Sequence, residues 1–103
     1  MVRLTVLYPK TADSTFDMDY YLDTHIPLVK ERLTHHGLVG VDLQEGLSGG
    51  GPGDLPTYAM ITGLIFNTTD ELSAGMGVHG PELLGDIPNF TDQQPLTQVC
   101  RSI

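Results

Sequence analysis

Basic residues are scarce in this chain. Arg3, Lys10, Lys30, Arg32 and Arg101 stand against 13 acids, leave a formal net charge of -8, and form no run or stripe. Such a surface repels phosphate backbones and anionic bilayers, so neither nucleic acid nor a membrane is an expected partner. Cysteine is nearly absent. Cys100 alone cannot close an internal disulfide, and no CxxC pair is present to suggest structural zinc or redox chemistry. With no histidine beside it in the chain, Cys100 reads as filler in a strand rather than as a nucleophile. No stretch approaches the roughly 20 apolar residues of a membrane span. The opening MVRLTVLY is too short and too strand-like for a signal peptide, so the cytoplasm is the expected location. No HxH or HxD spacing points to a metal. The adjacent His35 and His36 suit the negative end of a helix, and His79 is remote in sequence, so no metal site is expected. Charged residues are only 17% of the chain, which suggests that part of its surface is covered by a partner subunit.

At 103 residues the chain is expected to form one domain over residues 1–103. Val2, Leu4, Val6 and Tyr8 alternate with Arg3 and Thr5, the pattern of a half-buried strand ended by Pro9. A polar linker follows, in which Ser14 or Thr15 can cap a helix from Phe16 to about His36. Leu22, Ile26, Val29 and Leu33 recur at helical spacing as its core stripe, and Gly37 is placed to terminate it. A second strand carries Val39, Val41, Leu43 and Leu47 on one parity. The segment GLSGGGPGDLP reads as a flexible connection between strands. It lacks the lysine and the following helix of a phosphate-binding loop. A third strand spans Thr57 to Phe66. Thr68 and Glu71 then form a capping box for a second helix. Gly75, Gly77, Gly80 and Pro81 predict that this helix is short, breaking near His79 and resuming for a turn or two to Gly85. A loop, DIPNFTDQQ, leads to a last strand from Leu96 to Ile103.

The order βαββαβ matches the split βαβ, or ferredoxin-like, arrangement: an α+β fold with a four-stranded antiparallel sheet and two helices on one face. Apolar residues on both strand parities, Leu7, Ala59, Ile61, Ile65 and Val99 among them, predict a second subunit against the open sheet face.

Within this framework the chain resembles the EthD family, named for a role in microbial breakdown of tert-butyl alkyl ethers. The resemblance rests on the first strand ending in Tyr8-Pro9, on FDMDYYLDTHIPLV with its YYxxxHxPL core, and on HGPELLGDIPNFTD. It covers nearly the whole chain. It implies a homodimeric α+β barrel, sheet against sheet, with a small pocket between each sheet and its own helices. Related folds serve cofactor-independent monooxygenases, isomerases, decarboxylases, dehydratases and haem proteins, so the resemblance specifies architecture better than reaction. Family members often carry an oxidoreductase label by association, and a partner oxygenase system is one implied context. GxGxxG is absent, no haem ligand carries over to this chain, and no cofactor is expected.

His25 leads the candidate residues. The resemblance marks it. Pro27, two residues on, leaves the Asp23 carbonyl without its helical donor, which suits a widened pocket mouth. Histidine exchanges a proton near neutrality, so a general acid/base role is the functional reading, against that of a half-buried histidine tied to a carbonyl. Tyr21 is four residues before His25 and shares its face, making it the expected hydrogen-bond neighbour, whereas Tyr20 is expected to pack. Tyr8 and Tyr58 have the parity to line the same pocket. In the late motif, Phe90 is an apolar plug, and Asp86 and Asn89 lie in a segment that either closes the pocket or braces the helix. Asp86 is a candidate to orient His25 or Tyr21. The expected activity is that of a small catabolic or accessory enzyme moving protons on a small apolar oxygenated metabolite. A non-catalytic carrier is the alternative, and cofactor-dependent redox activity a further one.

Overall fold

The computed structural model describes all residues from Met1 to Ile103. Four antiparallel strands, β1 (Val2–Pro9), β2 (Leu38–Glu45), β3 (Tyr58–Phe66) and β4 (Leu96–Arg101), lie in the order β2-β3-β1-β4. This is the ferredoxin-like α+β fold expected from the element order. On β1, buried Val2, Leu4, Val6 and Tyr8 alternate with partly exposed Arg3, Thr5 and Leu7. They stand opposite Phe66, Leu64, Thr62 and Met60 of β3, which are buried on the same face under the helices.

The second strand differs from its expected parity. Leu38 pairs with Phe66 but Gly40 with Ile65, so two residues of β2 face one of β3. This bulge turns Leu38 into the core ahead of Val41 and Leu43, while Val39 is half exposed. Leu47 lies beyond the strand and is exposed.

The first helix begins later than predicted and is not uniform. Asp17 is its cap, accepting from the Tyr20 amide at 3.0 Å; Ser14 instead closes its own turn with Thr11. One α-helical turn, Met18–Tyr20, passes into a π-helical segment, Tyr21–His25, then α-helix Ile26–Leu33 and a 3-10 turn Thr34–His36. Pro27 has no N–H for the Asp23 carbonyl, and the turn before it is widened by one residue, with the Ile26 amide donating to the Tyr21 carbonyl. The residue one turn before Ile26 is therefore Tyr21, not Leu22. Tyr21 is fully buried, and Leu22 is 46% exposed. Gly37 ends the helix at φ +92°, as its position predicted, and the Glu71 side chain occupies the space that a Cβ there would need.

The second helix runs unbroken from Thr69 to Asp86, through Pro81. Thr68 caps it, its hydroxyl accepting from the Glu71 amide at 3.1 Å. The glycines do not break it because packing outweighs their low helix propensity. A Cβ at Gly75 would lie 2.9 Å from the His36 Cβ and 3.3 Å from the Leu33 Cδ2, so the two helices touch through this glycine. The glycine-rich connection folds on itself: the Gly49 amide donates to the Asp54 carbonyl at 2.9 Å, and the Gly51 amide to the Asp54 carboxylate at 3.1 Å. No helix is long and apolar enough to cross a membrane.

Gly75→Leu is expected to force the helices apart and cost about 1–3 kcal/mol. Chemical denaturation checks this, with Gly77→Leu, at an open position, as the comparison expected to cost much less.

Candidate functional site

The π turn places Tyr21 and His25 one above the other on the inner face of the first helix, rings 5.6 Å apart and nearly parallel. Tyr21 was expected to hydrogen-bond His25; it stacks on it instead. Its hydroxyl is drawn past the ring to Thr62 on β3, with which it pairs. Thr62 escaped the sequence reading, although a polar residue between Met60 and Leu64 on an inward strand face is a usable signal. Burial pushes the Tyr21 hydroxyl up to about 12, with the Thr62 bond opposing, and pushes Tyr8 up as well. Both phenols therefore remain protonated and able to donate.

His25 is 4% exposed, and its partner is Asp86, the last residue of the second helix. His25 Nδ1 lies 2.8 Å from Asp86 Oδ2. The other oxygen, Oδ1, accepts from the Tyr20 hydroxyl at 2.7 Å and from Asn89 Nδ2 at 3.0 Å. Tyr20 thus does more than pack, as had been expected of it. Burial by itself raises Asp86, but the bonds from Tyr20, His25 and Asn89 outweigh it and hold the carboxyl below its ordinary value. The bond to the carboxylate in turn raises Tyr20. An ionised carboxylate only accepts, so Nδ1 carries a proton, and in the neutral ring the lone pair lies on Nε2. Nε2 has no partner in the chain, yet no buried side-chain nitrogen or oxygen is left orphaned, so it retains accessible surface, and His25 lines the adjoining cavity.

That cavity, about 50 Å³, lies between the first helix and the sheet. His25, Tyr8, Tyr21, Thr62 and Thr97 are its polar lining, among Val6, Leu64, Met76 and other apolar side chains. The predicted pocket residues divide into groups. Tyr8 and Tyr21 line the cavity. Asp86, Tyr20 and Asn89 stand behind His25 and act on it from outside. Phe90 packs tilted against the His25 ring at 4.6 Å and touches Tyr8, Phe16 and Tyr21. Asn89 and Phe90 also line a separate surface hollow beside Thr15 and Phe16. Tyr58 lies outside the constellation. The register shift beside Pro9 pairs Tyr58 with that proline, while Met60 takes the place opposite Tyr8. His36 and His79 meet edge to face at 5.0 Å, but no group of three ligating side chains converges anywhere in the chain.

Comparison with solved structures adds kinship to this geometry. An EthD-like protein from Ralstonia eutropha JMP134 superimposes with a TM-score of 0.90 at 35% identity, over 97% of this chain and 89% of that one. The chain belongs to the EthD family. An ethyl tert-butyl ether D (EthD) family protein from Bacillus halodurans C-125 shares the fold at 16% identity and a TM-score of 0.69, covering 100% of this chain and 99% of that one. So does an antibiotic biosynthesis monooxygenase, at 15% and 0.50, covering 100% and 99%. No family model matches the chain, and no curated protein matches it in sequence. At these lower identities the likeness shows the fold alone.

In this EthD-family chain the Asp86 carboxyl is depressed, so its contribution to stability is present above the ordinary carboxylate range and is lost as pH falls through its folded value. Asp86→Asn should cost about 1.5–3 kcal/mol at pH 7, as expected for hydrogen bonds to a charged group. The difference from the parent should shrink below about pH 4. Denaturant melts across pH test both statements; a difference that persists undiminished at low pH would show that the carboxylate charge is not its source.

Proposed function

We propose that this EthD-family protein is an enzyme that moves a proton on a small oxygenated metabolite, with His25 Nε2 as the base and then the acid. The observation that carries this reading is the His25–Asp86 bond at 2.8 Å, which leaves Nε2 free beside a small, largely apolar cavity that His25 lines. Asp86 holds the tautomer and stabilises the imidazolium once it forms; Tyr20 and Asn89 fix Asp86. In such a step the C–H bond next to a carbonyl breaks and its proton goes to Nε2. The electron pair moves into a carbon–carbon π bond, and the carbonyl oxygen takes the negative charge. Tyr8 and Tyr21 line the same cavity; the Tyr8 hydroxyl bonds Tyr21 and the Tyr21 hydroxyl pairs with Thr62, so a donor reaches that oxygen when one of these hydroxyls turns toward it. Return of the proton to another carbon completes an isomerisation; expulsion of a β-hydroxyl completes a dehydration. A carrier that only encloses its ligand is the second reading. It is favoured by the mainly apolar lining, which binds without demanding chemistry.

His25→Gln separates the two. It keeps a hydrogen-bonding side chain but not proton transfer, so turnover should fall about 10²–10⁴-fold with ligand affinity little changed. Unchanged turnover would remove His25 from the chemistry and leave the carrier.

The family fold also supports a homodimer through the sheet face away from the helices. There Leu7, Ile61, Ile65 and the half-exposed Leu96 surround the Arg3–Asp42 ion pair at 3.0 Å. Sedimentation at micromolar concentration is expected to give twice the 11.2 kDa chain mass. A species of single-chain mass at that concentration would reject the pairing.

A further inference from the structure

The cavity at His25 is about 50 Å³, a third of the roughly 150 Å³ that admits a benzene ring. It has room for a carbonyl and a carbon or two, and none for an aromatic ring or a bulky ether. It does not end at the protein core. Leu84, Ile87 and Thr97 line both this cavity and an outer groove of about 620 Å³, so the two spaces adjoin across these three side chains. The groove exists because the second helix ends at Asp86 without covering β4. Val99 and Thr97 pair with Leu4 and Val6 across the ladder and share their helix-side face, yet Val99 is half exposed and Thr97 is exposed. The apolar side chain with most freedom among these three is Leu84, itself half exposed.

The lining of the groove restricts what can lie in it. It contains no lysine or arginine, and its one charge is Asp92, whose Oδ1 is held by the Thr15 amide at 3.0 Å and by Gln93 at 3.3 Å. Thr91 is likewise occupied, donating to the Thr15 carbonyl at 2.7 Å. Gln94 and Thr97 line the groove, are exposed, and have no side-chain hydrogen bond inside the chain, so both are free to bond a ligand. A carboxylate or phosphate would meet Asp92 in a chain of net charge -8.

We propose that Leu84, Ile87 and Thr97 form a selective neck that admits a neutral aliphatic carbonyl compound, its small carbonyl end reaching His25 and a hydroxyl- or amide-bearing extension lying beside Gln94 and Thr97. This rests on the proton-transfer site described above and adds its substrate class.

Three five-carbon methyl ketones test it: pentan-2-one, 5-hydroxypentan-2-one and 4-oxopentanoate, titrated at pH 7 into isotope-labelled protein by NMR. 5-Hydroxypentan-2-one should shift both the His25 ring signals and the amides of Gln94 and Thr97. The 4-oxopentanoate anion should bind about tenfold more weakly, from charge alone. Thr97→Val, at an exposed strand position, should erase about a three- to tenfold preference for the hydroxyketone over pentan-2-one. Leu84→Trp should abolish the His25 shifts for all three while the His25 Nδ1 proton signal persists. If 4-oxopentanoate binds as well as the hydroxyketone, or if His25 shifts while the Gln94 and Thr97 amides stay silent, the neck proposal is overturned and the His25 site stands. If no ketone moves the His25 ring, the site and the neck fall together.

Discussion

The carboxylate of Asp86 is the point on which the arrangement turns. Three donors from separate segments meet on it: His25 from the middle of the first helix, Tyr20 from its first turn, and Asn89 from the turn after the second helix. A largely buried carboxylate without such donors would protonate or draw in water. Saturated by them, it stays ionised and joins the C-terminal end of the second helix to the first. The same atoms therefore brace the helix layer and set the tautomer of His25. Disturbing the chemistry at this point without disturbing the packing is difficult, which gives the pH dependence of stability its diagnostic value.

Pro27 makes that meeting possible. By withholding an amide from Asp23, it coincides with a turn that is one residue wider, and the wider turn exchanges Leu22 for Tyr21 on the buried face. Tyr21 is long enough to stack on His25 and still reach Thr62 across the sheet. Leucine at the same place would fill space but leave Thr62 without its partner. The irregularity thus substitutes a side chain with a polar tip for a purely apolar one where a cavity needs both. Phe16, Tyr8 and Phe90 close around Tyr21 at centroid separations of 4.9–5.8 Å, edge-on or tilted, so aromatic packing adds to its bond with Thr62 in holding the ring.

How much of this was legible in the chain depended on whether one residue's neighbours in sequence were its neighbours in space. The alternation of β1 and β3, the cap at Thr68 and the stop at Gly37 are local, and all were readable. The bulge at Val39 was not, because a one-residue slip reverses parity without leaving a compositional mark. The second helix was judged too weak because its glycines were weighed by propensity. Gly75 is tolerated for a contact with Leu33 and His36, some forty residues earlier, and no local rule records that contact. In the site, His25 and Tyr21 stood out through spacing and the proline. The partner of His25 was one of two options left open for Asp86, since 61 residues separate them. Tyr58 shows the converse: parity alone placed it with Tyr8, and a single register shift removed it.

Fold membership and site geometry constrain different things here. The fold shared with EthD-like proteins and with an antibiotic biosynthesis monooxygenase accounts for a cavity between helices and sheet, but not for a reaction. The site geometry adds the orientation of the His25 ring. An imidazole with Nδ1 bound to a carboxylate can use only Nε2, and His25 lines a chamber too small for a ring system. Any substrate much larger than a few atoms must present one small end and leave the rest outside. Under the proposed proton transfer, selectivity falls to residues such as Leu84 and Thr97 that touch no reacting atom, and the His25–Asp86 pair can remain unchanged while the groove beyond it diverges.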